Sequence, residues 1–319
     1  MPIGRHMPFL SAPLPLVLAG ILRGPTMQTK TMIGIIGGSG LYEIDGLEGA
    51  SWVKVKTPWG APSDEVLVGR LDGIPMAFLP RHGRGHVHSP SDVPYRANIN
   101  AMKRLGVTDV ISVSACGSLR EELPPGTFVL ADQFIDRTFA REKSFFEPGL
   151  VAHVSMAHPV CGRLGEGIAA AAAALKIPHV RGGTYLTMEG PQFSTLAESE
   201  LYRSWGCDVI GMTNMPEAKL AREAEMCYAT IAMVTDYDCW HEDHGAVTVD
   251  QIVRVLLANA DKARELVKAI TPMLQHRVYP CDRGCHHALD SAIITSPDAR
   301  DQAVVKKLAP IIGRVLPAA

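Results

Sequence analysis

Short apolar runs alternate with helical patterns through most of this chain, and this alternation is the feature that most restricts its fold. Runs such as Ile33–Gly37 and Tyr228–Thr235 are apolar at nearly every position, as in strands covered on both faces. The alternation predicts an α/β fold, a single three-layer domain with a central mixed β-sheet flanked by helices. The predicted strands are Ile33–Gly37, Glu65–Leu71, Pro75–Pro80, Asp109–Ala115, Thr127–Gln133, Gly183–Met188, Asp208–Met212 and Tyr228–Thr235. The predicted helices are Tyr95–Leu105, Cys161–Leu175, Thr195–Trp205, Pro216–Glu225 and Val249–Ile270.

Residues 1–31 precede the first predicted strand and are expected to be a disordered or non-native extension. Their apolar stretch superficially resembles a secretory signal, but Pro8, Pro13 and Pro15 interrupt the helix that a signal needs. The domain is expected to span residues 32–319, with a less certain tail from about residue 279.

The charge balance argues against nucleic acid and membrane surfaces as partners. The chain has 31 Lys and Arg against 33 Asp and Glu, and no basic stripe is visible. No apolar run after the extension approaches the about 18 residues that a membrane span requires. The expected partner is therefore a small molecule.

The cysteines favour a reducing compartment. Their number, seven, is odd, and four lie in apolar runs as expected for buried thiols: Cys116, Cys207, Cys227 and Cys239. This composition predicts a cytoplasmic protein. Cys281 and Cys285 stand beside His286 and His287, a set that can ligate zinc, but the spacing matches no common zinc finger. No metal is expected here.

Four loops that follow predicted strands are rich in glycine, hydroxyl and guanidinium groups. They are Gly37–Gly40, Arg81–His88, Val113–Glu121 and Gly211–Asn214. Each alone is consistent with a plain turn, but together they favour an oxyanion site at the carboxyl edge of the sheet. The three histidines of the second loop also permit a metal site, although Arg81 and Arg84 would repel a cation.

A pair of carboxyl groups follows the last predicted strand. Asp236 and Asp238 are two residues apart, so on an extended segment they face the same side. Tyr237 and Trp240 would exclude water and raise the carboxyl pKa values. Such a pair can supply a general acid and a hydrogen-bond acceptor, which favours catalysis over metal ligation or helix capping.

Six segments together closely resemble the methylthioadenosine phosphorylase branch of the trimeric purine nucleoside phosphorylases. They are Gly37–Gly40, Arg81–Arg84, Ala115–Glu121, Asp132–Thr138, Glu189–Phe193 and Thr235–Trp240. The resemblance covers about residues 32–272. This chain has Ser39 and Ser114 where many relatives carry threonine, and the hydroxyl groups are kept.

The resemblance implies roles for individual residues. Asp236 and Asp238 are the expected catalytic pair, one protonating purine N7 and the other accepting from the 6-amino group. The residues implied to bind phosphate are Ser39, Arg81, His82, Ser114, Ala115 and Thr213. Met212 is implied to contact the ribose, and Phe193 and Ser194 the base. The residues implied to surround the 5′ substituent are His153 from a neighbouring subunit, Val249, Ile252 and Val253. The resemblance also implies a homotrimer that needs no cofactor, with inorganic phosphate as co-substrate.

The expected reaction is phosphorolysis of 5′-methylthioadenosine to adenine and 5-methylthioribose 1-phosphate, in purine and methionine salvage. Alternative substrates are 5′-deoxyadenosine, adenosine and 6-oxopurine nucleosides such as inosine or methylthioinosine. A carboxylate would be repelled by a 6-oxo group, so Asp236 and Asp238 favour adenine. A hydrolytic nucleosidase and a non-catalytic purine-binding or NAD-binding module remain as alternatives of other classes.

Overall fold

The computed structural model describes residues 29–38, 40–242, 249–277, 281 and 283–317. Residues 1–28 of the expected extension lie outside the described residues. Thr29 and Lys30, also assigned to that extension, form a short antiparallel pair with His276 and Arg277.

Thirteen strands are described. They are β1 (Thr29–Lys30), β2 (Ile33–Gly37), β3 (Glu48–Val53), β4 (Val66–Leu71), β5 (Ile74–Pro80), β6 (Asp109–Ser118), β7 (Phe128–Leu130), β8 (Gln133–Asp136), β9 (His179–Arg181), β10 (Thr184–Thr187), β11 (Val209–Gly211), β12 (Cys227–Asp236) and β13 (His276–Arg277). The prediction of one strand over Thr127–Gln133 is wrong, because the chain changes neighbours there: β7 pairs with β12 and β9, whereas β8 pairs with β10.

Six α-helices are described: α1 (Tyr95–Arg104), α2 (Gly162–Ala174), α3 (Leu196–Ser204), α4 (Asn214–Glu223), α5 (Val249–Ile270) and α6 (Gln302–Ile312). The first five were predicted to within two residues at each end. Helix α6 was missed, since the tail carries no motif and Pro310 interrupts its pattern.

The main sheet is mixed. Its order is β3-β4-β5-β2-β6-β11-β10-β8, and β12 pairs with β6 and leads through β7 to β9. Strands β5, β2, β6 and β12 are parallel, so their carboxyl ends share one edge. Strand β11 runs antiparallel to β6.

Helices cover both faces of the sheet. On one face, α2 and α5 bury apolar side chains such as Leu164 and Leu266. On the other face, α1, α4 and α6 bury residues that include Met102, Leu220 and Leu308. Successive strand residues point to opposite faces, as Ile35 and Ile36 of β2 do. The predicted three-layer α/β domain is confirmed, and no helix in the described ranges is long and apolar enough to cross a membrane.

Candidate active site

The sheet brings the predicted loops together at the carboxyl edge of β2, β5, β6 and β12. Ser114 and Ala115 of β6 lie opposite Ala232 and Met233 of β12. The backbone N–H of Arg81 donates to the Gly37 carbonyl at 2.9 Å, which joins the first two loops. Ser39 itself lies outside the described residues.

Thr213 reaches the same place from β11. Ile210 pairs with Gly117 in the antiparallel direction, so the chain leaves the end of β11 in the direction of Ser114. Both side chains are buried. The Ser114 hydroxyl lies near that of Tyr185, but within the described part of the chain neither has a hydrogen bond of normal geometry. A buried hydroxyl without a partner is suited to a ligand.

The two aspartates lie in a tight turn, not on an extended segment as predicted. Strand β12 ends at Asp236, and Asp238 adopts a left-handed backbone with φ of 53°. The Asp238 N–H donates to Asp236 Oδ1 at 2.8 Å, and the Thr235 hydroxyl donates to Asp236 Oδ2 at 2.7 Å. The turn therefore keeps both carboxyl groups at the edge of the sheet.

Burial changes the acidity of this pair. It raises the pKa of Asp236, and the Thr235 hydroxyl opposes the rise in part. Burial also raises the pKa of Asp238, against the opposing effect of hydroxyl groups that include those of Ser199 and Ser194. Carboxyl groups with raised pKa values can hold a proton closer to neutral pH, as a general acid requires.

Gly117 of β6 makes room for the pair. A Cβ at this position would lie 2.9 Å from Asp236 Oδ1 and 3.3 Å from the Asp238 Cβ. Any larger residue would move the carboxyl groups.

Arg81, which the family resemblance implies binds phosphate, is buried and paired with a carboxylate. Its side chain is 2 % exposed, and Nε and Nη2 donate to Glu217 at 2.8 and 3.0 Å. The same guanidinium donates to the Val113 and Ile36 carbonyls and to Ser112 Oγ. Arg81 therefore stabilises the floor of the site as a buried ion pair.

Arg84, the second cation of that loop, is also paired, with Asp64 at 2.8 Å on the exposed side. The cationic patch inferred from the sequence is thus largely neutralised by carboxylates.

His82 is neutral at physiological pH. Burial, followed by the charge of Arg81, lowers its pKa to about 4. Its Nδ1 lies 2.9 Å from the His88 carbonyl oxygen, which can only accept, so Nδ1 carries the proton. Nε2 is then a hydrogen-bond acceptor.

The residues assigned to ribose and base lie on neighbouring loops. Cys239 donates its S–H to the Ser194 carbonyl, which brings Ser194 next to the aspartate turn. Met212 packs against Gly190, where a Cβ would lie 2.6 Å from its Sδ. Phe193 is 44 % exposed.

The residues assigned to the 5′ substituent are only partly placed. Val253 of α5 is 43 % exposed, while the side chains of Val249 and Ile252 lie outside the described residues. His153 is exposed, and its backbone N–H donates to the Ala292 carbonyl.

Two supporting residues, Glu217 and Arg141, were not predicted from the sequence. Glu217 lies within a helical pattern and only the tertiary structure pairs it with Arg81. Arg141 donates to the carbonyls of Met212 and Met215 at 2.6 and 2.7 Å, and to Glu189 Oε1 at 3.1 Å. Glu189 lies in one of the six segments that resemble the family, but nothing in the sequence marks Arg141.

Comparison with known proteins identifies the family to which this fold belongs. Residues 32–272 match the phosphorylase superfamily. The chain is 68% identical over 287 residues to S-methyl-5′-thioadenosine phosphorylase of Rhodospirillum rubrum, covering 90% of this chain and 98% of the relative. It is 67% identical to the protein of the same name from Cereibacter sphaeroides, covering 90% of this chain and 99% of the relative. A crystal structure of methylthioadenosine phosphorylase from an Antarctic soil metagenomic library superposes with a TM-score of 0.82 at 46% identity, covering 88% of this chain and 99% of the other.

Proposed function

This chain belongs to the phosphorylase superfamily, in its methylthioadenosine phosphorylase branch, and we propose on that basis that it cleaves 5′-methylthioadenosine with inorganic phosphate. The products are adenine and 5-methylthioribose 1-phosphate. The observation that carries the assignment at the site is the buried Asp236–Asp238 turn beside the hydroxyl-rich end of β6.

The reaction joins two events at one carbon. A phosphate oxygen bonds to C1′ while the bond from C1′ to purine N9 breaks, and its electron pair passes to the purine. One aspartate donates a proton to N7, and the other accepts from the 6-amino group. The raised pKa values of Asp236 and Asp238 support one of them holding the proton that N7 receives. General acid catalysis of this kind accelerates a reaction about 10²- to 10⁴-fold.

The phosphate is held mainly by neutral donors in this proposal. Ser114 and Thr213 supply hydroxyl groups, and backbone N–H groups of the Gly37–Gly40 loop supply further donors. His82 accepts the hydrogen of HPO₄²⁻ through Nε2, consistent with the proton on its Nδ1. Phosphate is itself the nucleophile, so the proposed reaction needs no cofactor.

Adenine specificity is supported by the same carboxyl pair. A 6-oxo group offers no hydrogen to a carboxylate, and an unpaired buried group costs about 1–3 kcal/mol. We expect kcat/KM for methylthioadenosine to exceed that for methylthioinosine by roughly 5- to 150-fold.

The deciding experiment measures adenine release with and without phosphate. We expect turnover only with phosphate, and a sugar phosphate visible by ³¹P NMR. Equal release in phosphate-free buffer would indicate a hydrolase, and binding without turnover would indicate a purine-binding module. Either result would overturn the proposal.

The proposal includes a homotrimer in the cytoplasm. Val151 and Ile294 are 39 % and 61 % exposed, adjacent through a hydrogen bond of 3.0 Å, and near His153. Exposed apolar neighbours of this kind support an interface between subunits, with His153 entering the next site. The seven cysteines in thiol form support a reducing compartment.

A further inference from the structure

Four cysteines from three separate parts of the chain meet at the end of β12 that lies away from the aspartates. Cys227 begins β12, and Cys161 is the N-cap of α2. Cys281 and Cys285 come from the segment after β13. The four Sγ atoms all lie within 4.8 Å of one another.

The distances fit the ligands of a single ion. Sγ of Cys281 lies 3.4 Å from that of Cys161 and 3.5 Å from that of Cys285. In a tetrahedral zinc site with bonds of about 2.3 Å, the sulfurs are separated by about 3.8 Å. Two disulfides would bring sulfurs together in pairs and would not require the pairs to be close. One ion requires every distance among the four to be short.

The surroundings also suit a structural site. All four side chains are buried, with Cys281 the most exposed at 4 %. Cys281 and Cys285 have three residues between them, so this pair by itself fits the C-x2–4-C spacing of structural zinc ligands, although the set that includes His286 and His287 matches no common zinc finger. His286 is not a fifth ligand through Nε2, because that atom faces the backbone N–H of Cys281 at 3.4 Å.

The guanidinium cation of Arg163 lies beside the four cysteines. Four thiolates around Zn²⁺ carry a net charge of −2, which needs compensation in a buried place. The guanidinium of Arg163 contacts the sulfur of Cys227 and is itself paired with Asp109. Arg163 is thus placed as a positioning residue that partly neutralises the cluster.

We propose that Cys161, Cys227, Cys281 and Cys285 bind one structural zinc ion, which ties the C-terminal segment to α2 and the sheet. Four Zn–S bonds form, and the four thiol protons pass to solvent. The site is remote from catalysis, because β12 separates Cys227 from Asp236 by roughly 30 Å at about 3.3 Å a residue. Sequence reasoning expected no metal because it considered only the C-terminal residues.

The first test measures zinc by mass spectrometry in the full chain, purified without chelators. We expect one zinc per chain. The double variant Cys281→Ser with Cys285→Ser should retain less than about a tenth of it, since two of four ligands are gone. Cys207→Ser, buried but outside the cluster, is the matched control and should keep its zinc. A metal-free wild type, stoichiometric iron, or zinc retained by the double variant would each overturn the proposal.

A second measurement does not depend on the variants folding. Wild-type protein denatured with chelator, but without reductant, should expose all seven cysteines as thiols. Two disulfides within the cluster would leave three thiols and would contradict the zinc site. Cobalt in place of zinc should give the absorption of a tetrahedral thiolate complex. Chelation should lower the Tm of the wild type while kcat/KM at low temperature stays unchanged.

Discussion

The charged residues near the active site fall into two kinds. Arg81 and Arg84 each face a carboxylate, whereas the carboxyl groups of Asp236 and Asp238 are held by hydroxyl and backbone donors. Burial makes the ionised form of each aspartate less stable, and the hydroxyl and backbone donors offset this only in part. The two aspartates are therefore expected to lower the free energy of unfolding, although they are needed for catalysis.

Asp236→Asn and Asp238→Asn test this at the level of the residue. One of the two aspartates is the general acid. Its replacement by Asn should reduce kcat/KM for methylthioadenosine about 10²- to 10⁴-fold at saturating phosphate. Asp236→Asn should also shift the relative preference toward methylthioinosine, because an amide donor suits a 6-oxo group. If neither variant changed turnover by even tenfold, the aspartates would be structural.

The same variants carry a pH dependence with a defined sign. A carboxyl whose folded pKa is raised binds more protons in the folded state, so it lowers stability as pH rises above its unfolded pKa. Both variants should therefore unfold at an equal or higher Tm than the wild type at pH 7. This advantage should vanish near pH 3, where the carboxyl groups are protonated in both states. Thermal unfolding across this pH range measures it.

Arg81→Ala should act mainly on stability. It leaves Glu217 buried without its cation, which costs about 3–5 kcal/mol of unfolding free energy. Arg81→Ala with Glu217→Ala should lose less than the sum of the two single variants. Arg84→Ala, which breaks an exposed pair, is the control and should change stability little. Strict additivity of the two single variants would contradict the role assigned to the pair.

At the level of elements, β6 and β12 determine where the chemistry sits. At Gly117, β6 passes close to the aspartate turn that follows β12, since a Cβ there would lie 2.9 Å from Asp236 Oδ1. The side-chain volume at position 117 of β6 therefore controls the positions of the Asp236 and Asp238 carboxyl groups at the end of the neighbouring strand, β12.

Gly117→Ala should lower kcat by at least about tenfold, since displacing a catalytic group by even 1 Å can reduce rate a hundredfold. Gly165→Ala is the matched control, because nothing lies within 4 Å of a Cβ there. Alanine in the middle of α2 should stabilise by about 0.5–1 kcal/mol and leave kcat unchanged. Wild-type kinetics for Gly117→Ala would show that the aspartates tolerate displacement.

At the level of the whole molecule, we propose that each site is completed by His153 of a neighbouring subunit. The apolar pair Val151 and Ile294 flanks His153 on the exposed surface. Assembly and activity are therefore expected to be lost together.

Ile294→Glu should convert trimers to monomers, because a charge buried in an apolar interface is left unpaired. We expect KM for methylthioadenosine to rise with dissociation, measured by light scattering and steady-state kinetics on the same samples. Leu175→Glu, at an exposed apolar position on the surface of α2, should remain trimeric and active. A monomeric Ile294→Glu variant with full activity would contradict the hypothesis that His153 of a neighbouring subunit completes the site.

The sequence by itself determined the layer architecture and the loops that meet at the site. Apolar runs and helical periods are local properties of the chain, so eleven of the described elements were predicted to within two residues at each end. The Asp236–Asp238 pair and the hydroxyl loops were likewise visible, because each lies directly after a strand.

Only the tertiary structure decided which charges are open and which are paired. Arg81 and Glu217 are 136 residues apart, and Cys161 lies 120 residues from Cys281. Local pattern carries no information on such contacts, since they depend on the pairing of distant strands. For this reason the sequence predicted guanidinium groups at an oxyanion site and no metal, whereas the folded chain holds a buried Arg81–Glu217 pair and a four-cysteine cluster.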